Sequence, residues 1–143
     1  MQTEVLIIED LRVCFDTEEG TVRAVDGVSL TMQRGRIMGI VGESGCGKTV
    51  TSYSILQLIQ TPGRIESGSI RFYPRDGDPV EITDLDERSD PLFQIRGGKI
   101  SMIFQEPMTA LSPVHTVGSQ ICEAIRLHQD VTEEEARQRA VQM

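Results

Sequence analysis

The sequence predicts an α/β fold with a mainly parallel central sheet and an antiparallel β portion at its N-terminus. Short, almost unbroken apolar runs at 36–41 and 99–104 read as strands buried on both faces, and a helical pattern follows the first of them after a glycine-rich turn. The antiparallel portion comes from two β-rich stretches, Val5 to Phe15 and Thr21 to Met32, joined by the polar, glycine-ended connection Asp16-Thr17-Glu18-Glu19-Gly20.

The later elements follow from the same patterns. Between Lys48 and Gln60 the apolar residues Val50, Tyr53, Leu56 and Ile59 recur every three positions, with Ile55 and Leu58 beside them, which predicts a helix that Pro62-Gly63 stops. Ile65 to Tyr73 predicts a strand weakened in its middle by Gly68, and Pro74 to Pro79 a polar turn region. Asp84 to Ile95 predicts a helix broken near Pro91, and Lys99 to Phe104 a second buried strand that ends at Gln105. The apolar pattern lapses after Pro107 and returns at Val117. Ile121, Ile125 and Leu127 then predict a helix, and Thr132-Glu133-Glu134-Glu135 the acid-rich start of another, whose first turn the helix dipole favours. There is no internal repeat and no low-complexity tract.

Composition narrows the function classes. A chain of 143 residues is long enough for one domain with its own core, because folding at that size buries roughly 70% of the unfolded surface. With 38% hydrophobic and 25% charged residues it falls among ordinary globular proteins. A formal net charge of -8 argues against a sequence-independent grip on nucleic acid, which depends on clustered Lys and Arg. Cys14, Cys46 and Cys122 lack the spacing of a zinc site or a disulfide framework and point to a reducing cytosol. His115 and His128 are isolated and read as surface residues. No apolar run is long enough to span a bilayer, and Met1-Gln2-Thr3-Glu4 lacks the basic start of a signal peptide, so membrane association is expected only through a partner.

The sharpest signal is Gly42-Glu43-Ser44-Gly45-Cys46-Gly47-Lys48-Thr49, a full match to the phosphate-loop pattern of nucleotide triphosphatases. Gly42, Gly45 and Gly47 let the backbone wrap closely around phosphate oxygens and take positive φ where needed. The N–H groups of Glu43, Ser44 and Cys46 and the start of the helix, through Val50, supply the positive end that holds an anion. Lys48 is expected to reach the β- and γ-phosphates of ATP, and the Thr49 hydroxyl to ligate Mg²⁺. The bland alternative is a glycine turn that merely caps a helix. Cys46 could have an activated thiol so near a helix N-terminus, but it reads more simply as a small residue that fits.

Phe15, the Gly42 to Thr49 loop, Ile95-Arg96-Gly97 and the stretch Ile103-Phe104-Gln105-Glu106-Pro107-Met108-Thr109-Ala110-Leu111-Ser112-Pro113 together resemble the ATP-binding subunits of ABC importers. The similarity is greatest to the oligopeptide, dipeptide and nickel uptake branch, although Ser112 stands where Asn is commoner there. By that resemblance the fold is of the P-loop NTPase type, with residues 1–105 forming the β portion and phosphate-loop core and 106–143 the start of a helical subdomain. Phe15 would stack on the adenine. Gln105 would bind Mg²⁺ or the attacking water and sense the γ-phosphate. Glu106 to Val117 would face membrane subunits, a second ATP-binding subunit would complete the site, and the assembly would sit at the cytoplasmic face of the inner membrane. Without the resemblance, Phe15 could as well be a core residue and Gln105 a surface one.

The resemblance also implies elements that do not occur after Gln105: a Ser-Gly-Gly-Gln signature, an acidic strand end followed by a catalytic Glu, and a switch His. The chain is therefore expected to be the N-terminal part of such a subunit, truncated in its helical subdomain, and to hydrolyse ATP negligibly by itself. A non-catalytic nucleotide-binding fragment remains open. So does another P-loop NTPase, although no Asn-Lys-x-Asp base-reading string is present.

Overall fold

The computed structural model describes residues 3–105 and 111–143. The chain forms two compact units, one up to Phe93 and one from Gln94 onward.

The first unit is built on an antiparallel sheet of order β2-β1-β3-β4, with β1 at Glu4–Thr17, β2 at Gly20–Gln33, β3 at Gly63–Phe72 and β4 at Val80–Glu81. The hairpin between β1 and β2 forms as the sequence predicts. Gly20 closes it with φ 128, and the Thr17 hydroxyl donates to the Gly20 carbonyl at 2.7 Å.

Central strand β1 buries Leu6 and Ile8, then Leu11 and Val13, so its inward positions switch from even to odd. The switch requires an extra residue in the strand, because side chains alternate faces with a period of two. The pairing supplies it: Ile8 lies opposite Leu30 and Leu11 opposite Val28, three steps along β1 against two along β2. Asp10 takes φ 47 within this bulge. On the other edge Glu9 pairs with Ser69 and Arg12 with Ser67, and Gly68 sits between them at φ 106. A β-carbon on Gly68 would lie 2.6 Å from the Leu11 α-carbon, so glycine is needed for the two backbones to approach. Arg12 ties the bulge down by ion pairs to Asp10, at 3.0 Å, and Asp26.

Cys14, Val25, Leu56, Ile70, Phe72, Ile82 and Leu92 complete the buried apolar set of this unit among the described residues. Behind β3, Glu81 accepts from the Ile70 N–H at 2.7 Å and from the hydroxyls of Ser69 and Thr83 at 2.7 and 2.6 Å.

Helix α1, Lys48–Ile55, begins where predicted and ends a turn and more before Gln60. The cause is a contact distant in sequence. Gln57 adopts φ 49, outside the helical region, and its amide donates to the carbonyls of Ile82 and Leu85, the latter at 2.9 Å. The polar residues that α1 buries satisfy themselves locally, Thr51 donating to Gly47 O and Ser54 to Val50 O.

The segments 36–41 and 99–104 are not ladder strands among the described residues. A strand buried on both faces needs hydrogen-bonding neighbours at its edges and layers above and below. Lacking such neighbours among the described residues, Ile37 is fully exposed, and Val41 and Ile103 are nearly so. Among the described residues the sheet is therefore the antiparallel portion, and 36–41 and 99–104 lie outside it, Ile100 forming only an isolated parallel bridge with Arg96.

Helix α2, Asp90–Ile95, takes Pro91 into its first turn, where a missing N–H costs nothing; the proline starts the helix instead of breaking it. In the second unit the chain then turns through Gly97 at φ 78, with Gly97 N–H donating to Ile100 O at 2.8 Å. Helices α3, Val117–His128, and α4, Glu133–Gln142, form a helical hairpin that buries Ile125 and Ala136. Thr116 caps α3 by accepting from Ser119 N–H at 3.2 Å. Thr132 and Glu135 form a reciprocal capping box on α4, as the acid-rich start suggests.

Candidate functional site

The candidate phosphate site is built from the Gly42 to Thr49 turn that leads into α1. Gly45 and Gly47 have φ 82 and 91, left-handed values that glycine adopts without strain. Gly47 is the N-cap of α1, and a β-carbon there would lie 2.3 Å from the carbonyl oxygen of Ala24 on β2. The helix start is thus seated directly on the hairpin. Gly42 is constrained from another side, since a β-carbon would lie 2.6 Å from Cys46 Sγ. At Gly45 nothing stands within 4 Å of that position, so the turn is open there to an incoming group.

Lys48 folds back over the loop. Its ammonium donates to Gly42 O at 2.8 Å and Glu43 O at 2.7 Å, and lies 3.4 Å from Cys46 Sγ. The first turn of α1 contains no acidic residue to oppose the positive end of the helix dipole. Glu43, Ser44, Cys46 and Thr49 are exposed, and Val50 is half-buried on the helix. Together these features fit a polyphosphate: a glycine-rich turn at a helix N-terminus, one adjacent cation, a hydroxyl beside it and no competing carboxylate in the helix turn.

Phe15 lies at the end of β1, opposite Val22 on β2 and Gly63 on β3. The ring covers Gly63 so closely that a β-carbon on that glycine would meet Phe15 Cε1 at 2.5 Å. The side chain is only partly buried, leaving part of the ring accessible.

Gln105 lies in the second unit, in an exposed bend after the irregular segment 99–104 and not at a strand end. Residues Glu106 to Ala110, the first part of the expected membrane-subunit surface, lie outside the described residues. Its remainder displays Leu111, Val114 and Val117, all exposed. His115 is exposed and sits 3.1 Å from Ser112 Oγ through Nδ1. His128, also exposed, rests on the Gly97 turn, where a β-carbon would meet its Nε2 at 2.6 Å. Cys46 and Cys122 are free thiols and Cys14 is buried in the sheet. No helix among the described residues is long and apolar enough to cross a membrane.

One residue near these segments gave no sequence signal. Gln120, in the first turn of α3, accepts from Ser112 N–H at 2.8 Å and donates to the carbonyls of Ser112 and His115, both at 3.1 Å. A lone glutamine belongs to no spacing motif; only the folded loop shows what it holds.

Comparison with known proteins gives a concordant picture. The family model described as ABC transporter matches residues 25–143. Over 139 residues, 96% of its length, the chain is 44% identical to y4tR of Sinorhizobium fredii, a probable peptide ABC transporter ATP-binding protein, of which it covers 39%. It is 40% identical over 141 residues to the glutathione import ATP-binding protein GsiA of Escherichia coli O1:K1 / APEC, covering 98% of this chain and 22% of that one. The chain thus spans about two fifths or less of these curated relatives. Among solved structures, the dimeric ATP-binding cassette MJ0796 bound to ADP and Pi superposes with a TM-score of 0.77 at 24% identity, covering 96% of this chain and 54% of that one. That likeness establishes the fold: an ATP-binding cassette, of α/β class, whose antiparallel β portion and helices are the parts formed here.

Proposed function

The chain belongs to the ABC transporter family, and from that premise we propose that it binds MgATP as the N-terminal part of the subunit that powers an importer of peptides or similar small solutes. The observation that most supports this reading is the Gly42 to Thr49 turn, with a left-handed Gly47 at the helix start and the Lys48 ammonium held over the loop by Gly42 O and Glu43 O.

In this reading the N–H groups from Glu43 to Val50 bind the phosphate oxygens, and Lys48 exchanges its loop carbonyls for the β- and γ-phosphates. The Thr49 hydroxyl and Gln105 hold Mg²⁺, and Phe15 stacks on the adenine. Bound Mg²⁺ would supply charge neutralisation on the phosphates. For Gln105 the support is the sequence around it and the family. Residues 1–105 then form the β portion and phosphate-loop core, and 106–143 open the helical subdomain. The partners are membrane subunits, met through 106–117, and a second ATP-binding subunit, at the cytoplasmic face of the inner membrane. The names of y4tR and GsiA, a peptide and a glutathione importer component, support a peptide-like solute.

Photolabelling with 8-azido-ATP tests the reading. Label should fall on the peptide containing Phe15 and be displaced by excess MgATP. Label that MgATP does not displace, or that falls only in 117–143, would contradict it.

A further inference from the structure

We propose that Gly63 is a positioning residue for nucleotide binding: it seats the ring of Phe15 and so sets the gap in which the purine of ATP stacks. This rests on the MgATP reading above, in which Phe15 meets the adenine, and adds a residue to it.

The backbone of Gly63 is not in the left-handed region, so a side chain is excluded there only by what it would meet. It would meet the Phe15 ring, whose Cε1 and Cδ1 lie 2.5 and 2.8 Å from the β-carbon position, and Ile59 Cγ2 at 2.7 Å. Ring and methyl thus converge over the glycine and fill the space a side chain would take. The glycine is itself held in place. It pairs with Phe15 at the end of the β1–β3 register, and its N–H donates to Gln60 O at 2.8 Å. The flanking residues reinforce the join: Asp16 N–H donates to Pro62 O at 3.2 Å, and the Asp16 carboxylate pairs with Arg64 and accepts from the Thr21 hydroxyl at 2.9 Å. With the backbone fixed on both strands, the bare α-carbon of Gly63 decides how far the ring can settle. A methyl group there must displace the ring or Ile59 by about 1 Å, since carbon atoms pack at roughly 3.5–4.0 Å. Both neighbours are side chains that can yield, so the cost falls on where the ring sits more than on the fold. A displaced ring no longer offers a purine the same stacking surface, whereas the loop at 42–49 contains none of the displaced atoms.

Calorimetric affinities for MgATP and for inorganic triphosphate with Mg²⁺ separate seat from fold, measured on the full chain in the parent, Gly63→Ala, Phe15→Ala and the double variant. Gly63→Ala should weaken ATP roughly tenfold, part of what one stacked ring contributes, and leave triphosphate unchanged. In the Phe15→Ala background, with no ring to displace, the same substitution should leave ATP affinity where it was. A glycine that mattered only to folding would weaken both ligands in both backgrounds. Ile59→Ala takes away the wall beside the ring without adding an atom, and carries the test should Gly63→Ala fail to fold: a smaller loss, again confined to ATP. The proposal is overturned if Gly63→Ala, or in its place Ile59→Ala, binds ATP as the parent does or loses triphosphate along with ATP. It is equally overturned if the Gly63→Ala loss persists without the Phe15 ring. If Phe15→Ala itself weakens ATP no more than triphosphate, the adenine reading of Phe15 fails, and this inference with it. If Phe15→Ala loses ATP and Gly63→Ala does not, this inference fails alone.

Discussion

The α-carbon of Gly47 faces the carbonyl oxygen of Ala24 so closely that a β-carbon would lie 2.3 Å from it. This contact seats the phosphate loop on β2, and it makes the loop's geometry dependent on a strand more than twenty residues upstream. Gly47 also stands at φ 91, so a side chain there is both clashing and strained. Gly45, at φ 82, has open space around it and would suffer the strain alone. Gly47→Ala should therefore destabilise the chain by more than the roughly 1–3 kcal/mol typical of backbone strain, and Gly45→Ala by no more than that. Urea unfolding of the variants gives the comparison. Equal stabilities would mean that the Ala24 contact does not constrain the loop.

Phe15 covers Gly63 on one side and keeps part of its ring exposed. If it stacks on a purine, Phe15→Ala should weaken ATP binding by about 1–3 kcal/mol, the usual range for base stacking on an aromatic ring. Phe15→Tyr should preserve binding, and inorganic triphosphate should not discriminate between parent and alanine variant. Competition against a fluorescent ATP analogue measures all of these. An alanine variant that binds ATP as the parent does would return Phe15 to a packing role.

Glu81 provides a pH dependence. Burial by itself would raise its carboxyl, but hydrogen bonds from Thr83, Ser69 and Ile70 N–H and the charge of Arg71 outweigh it and hold the group below its ordinary value. A carboxylate depressed in the folded state stabilises fully above its unfolded value, about 4.5, and the stabilisation is lost as pH falls through the lower folded value. The melting temperature of the parent should thus fall between pH 5 and pH 3 more steeply than that of Glu81→Gln, with the parent the more stable at pH 7. Parallel curves would show that Glu81 contributes nothing specific.

The features legible in the sequence are those set by near neighbours. The phosphate loop declares itself because its glycines, Lys48 and helix start occupy consecutive positions, and the Thr132/Glu135 capping box and the β1/β2 hairpin are equally local. The early end of α1 was not legible, because Gln57 leaves the helix to bond with Ile82 and Leu85, a contact across a strand and a turn. The bulge at Asp10 was hidden for a related reason: Gly68 marked a weak point in β3, but its meaning lay in the opposing backbone of Leu11. The apolar runs at 36–41 and 99–104 have strand composition, yet composition cannot provide the neighbouring strand that a ladder requires. Gln120 stayed invisible because its partners are backbone groups, which any residue sequence would present.

The most direct test of the central claim, that the Gly42 to Thr49 loop is a nucleotide phosphate site, is calorimetric titration of MgATP into the parent chain and Lys48→Ala. Truncating one partner of a desolvated charge pair costs roughly 2–5 kcal/mol. The parent should bind one MgATP per chain, and Lys48→Ala should lose affinity by about that amount while keeping its fold by circular dichroism. Equal affinity in the two proteins, or no binding by the parent, would contradict the account.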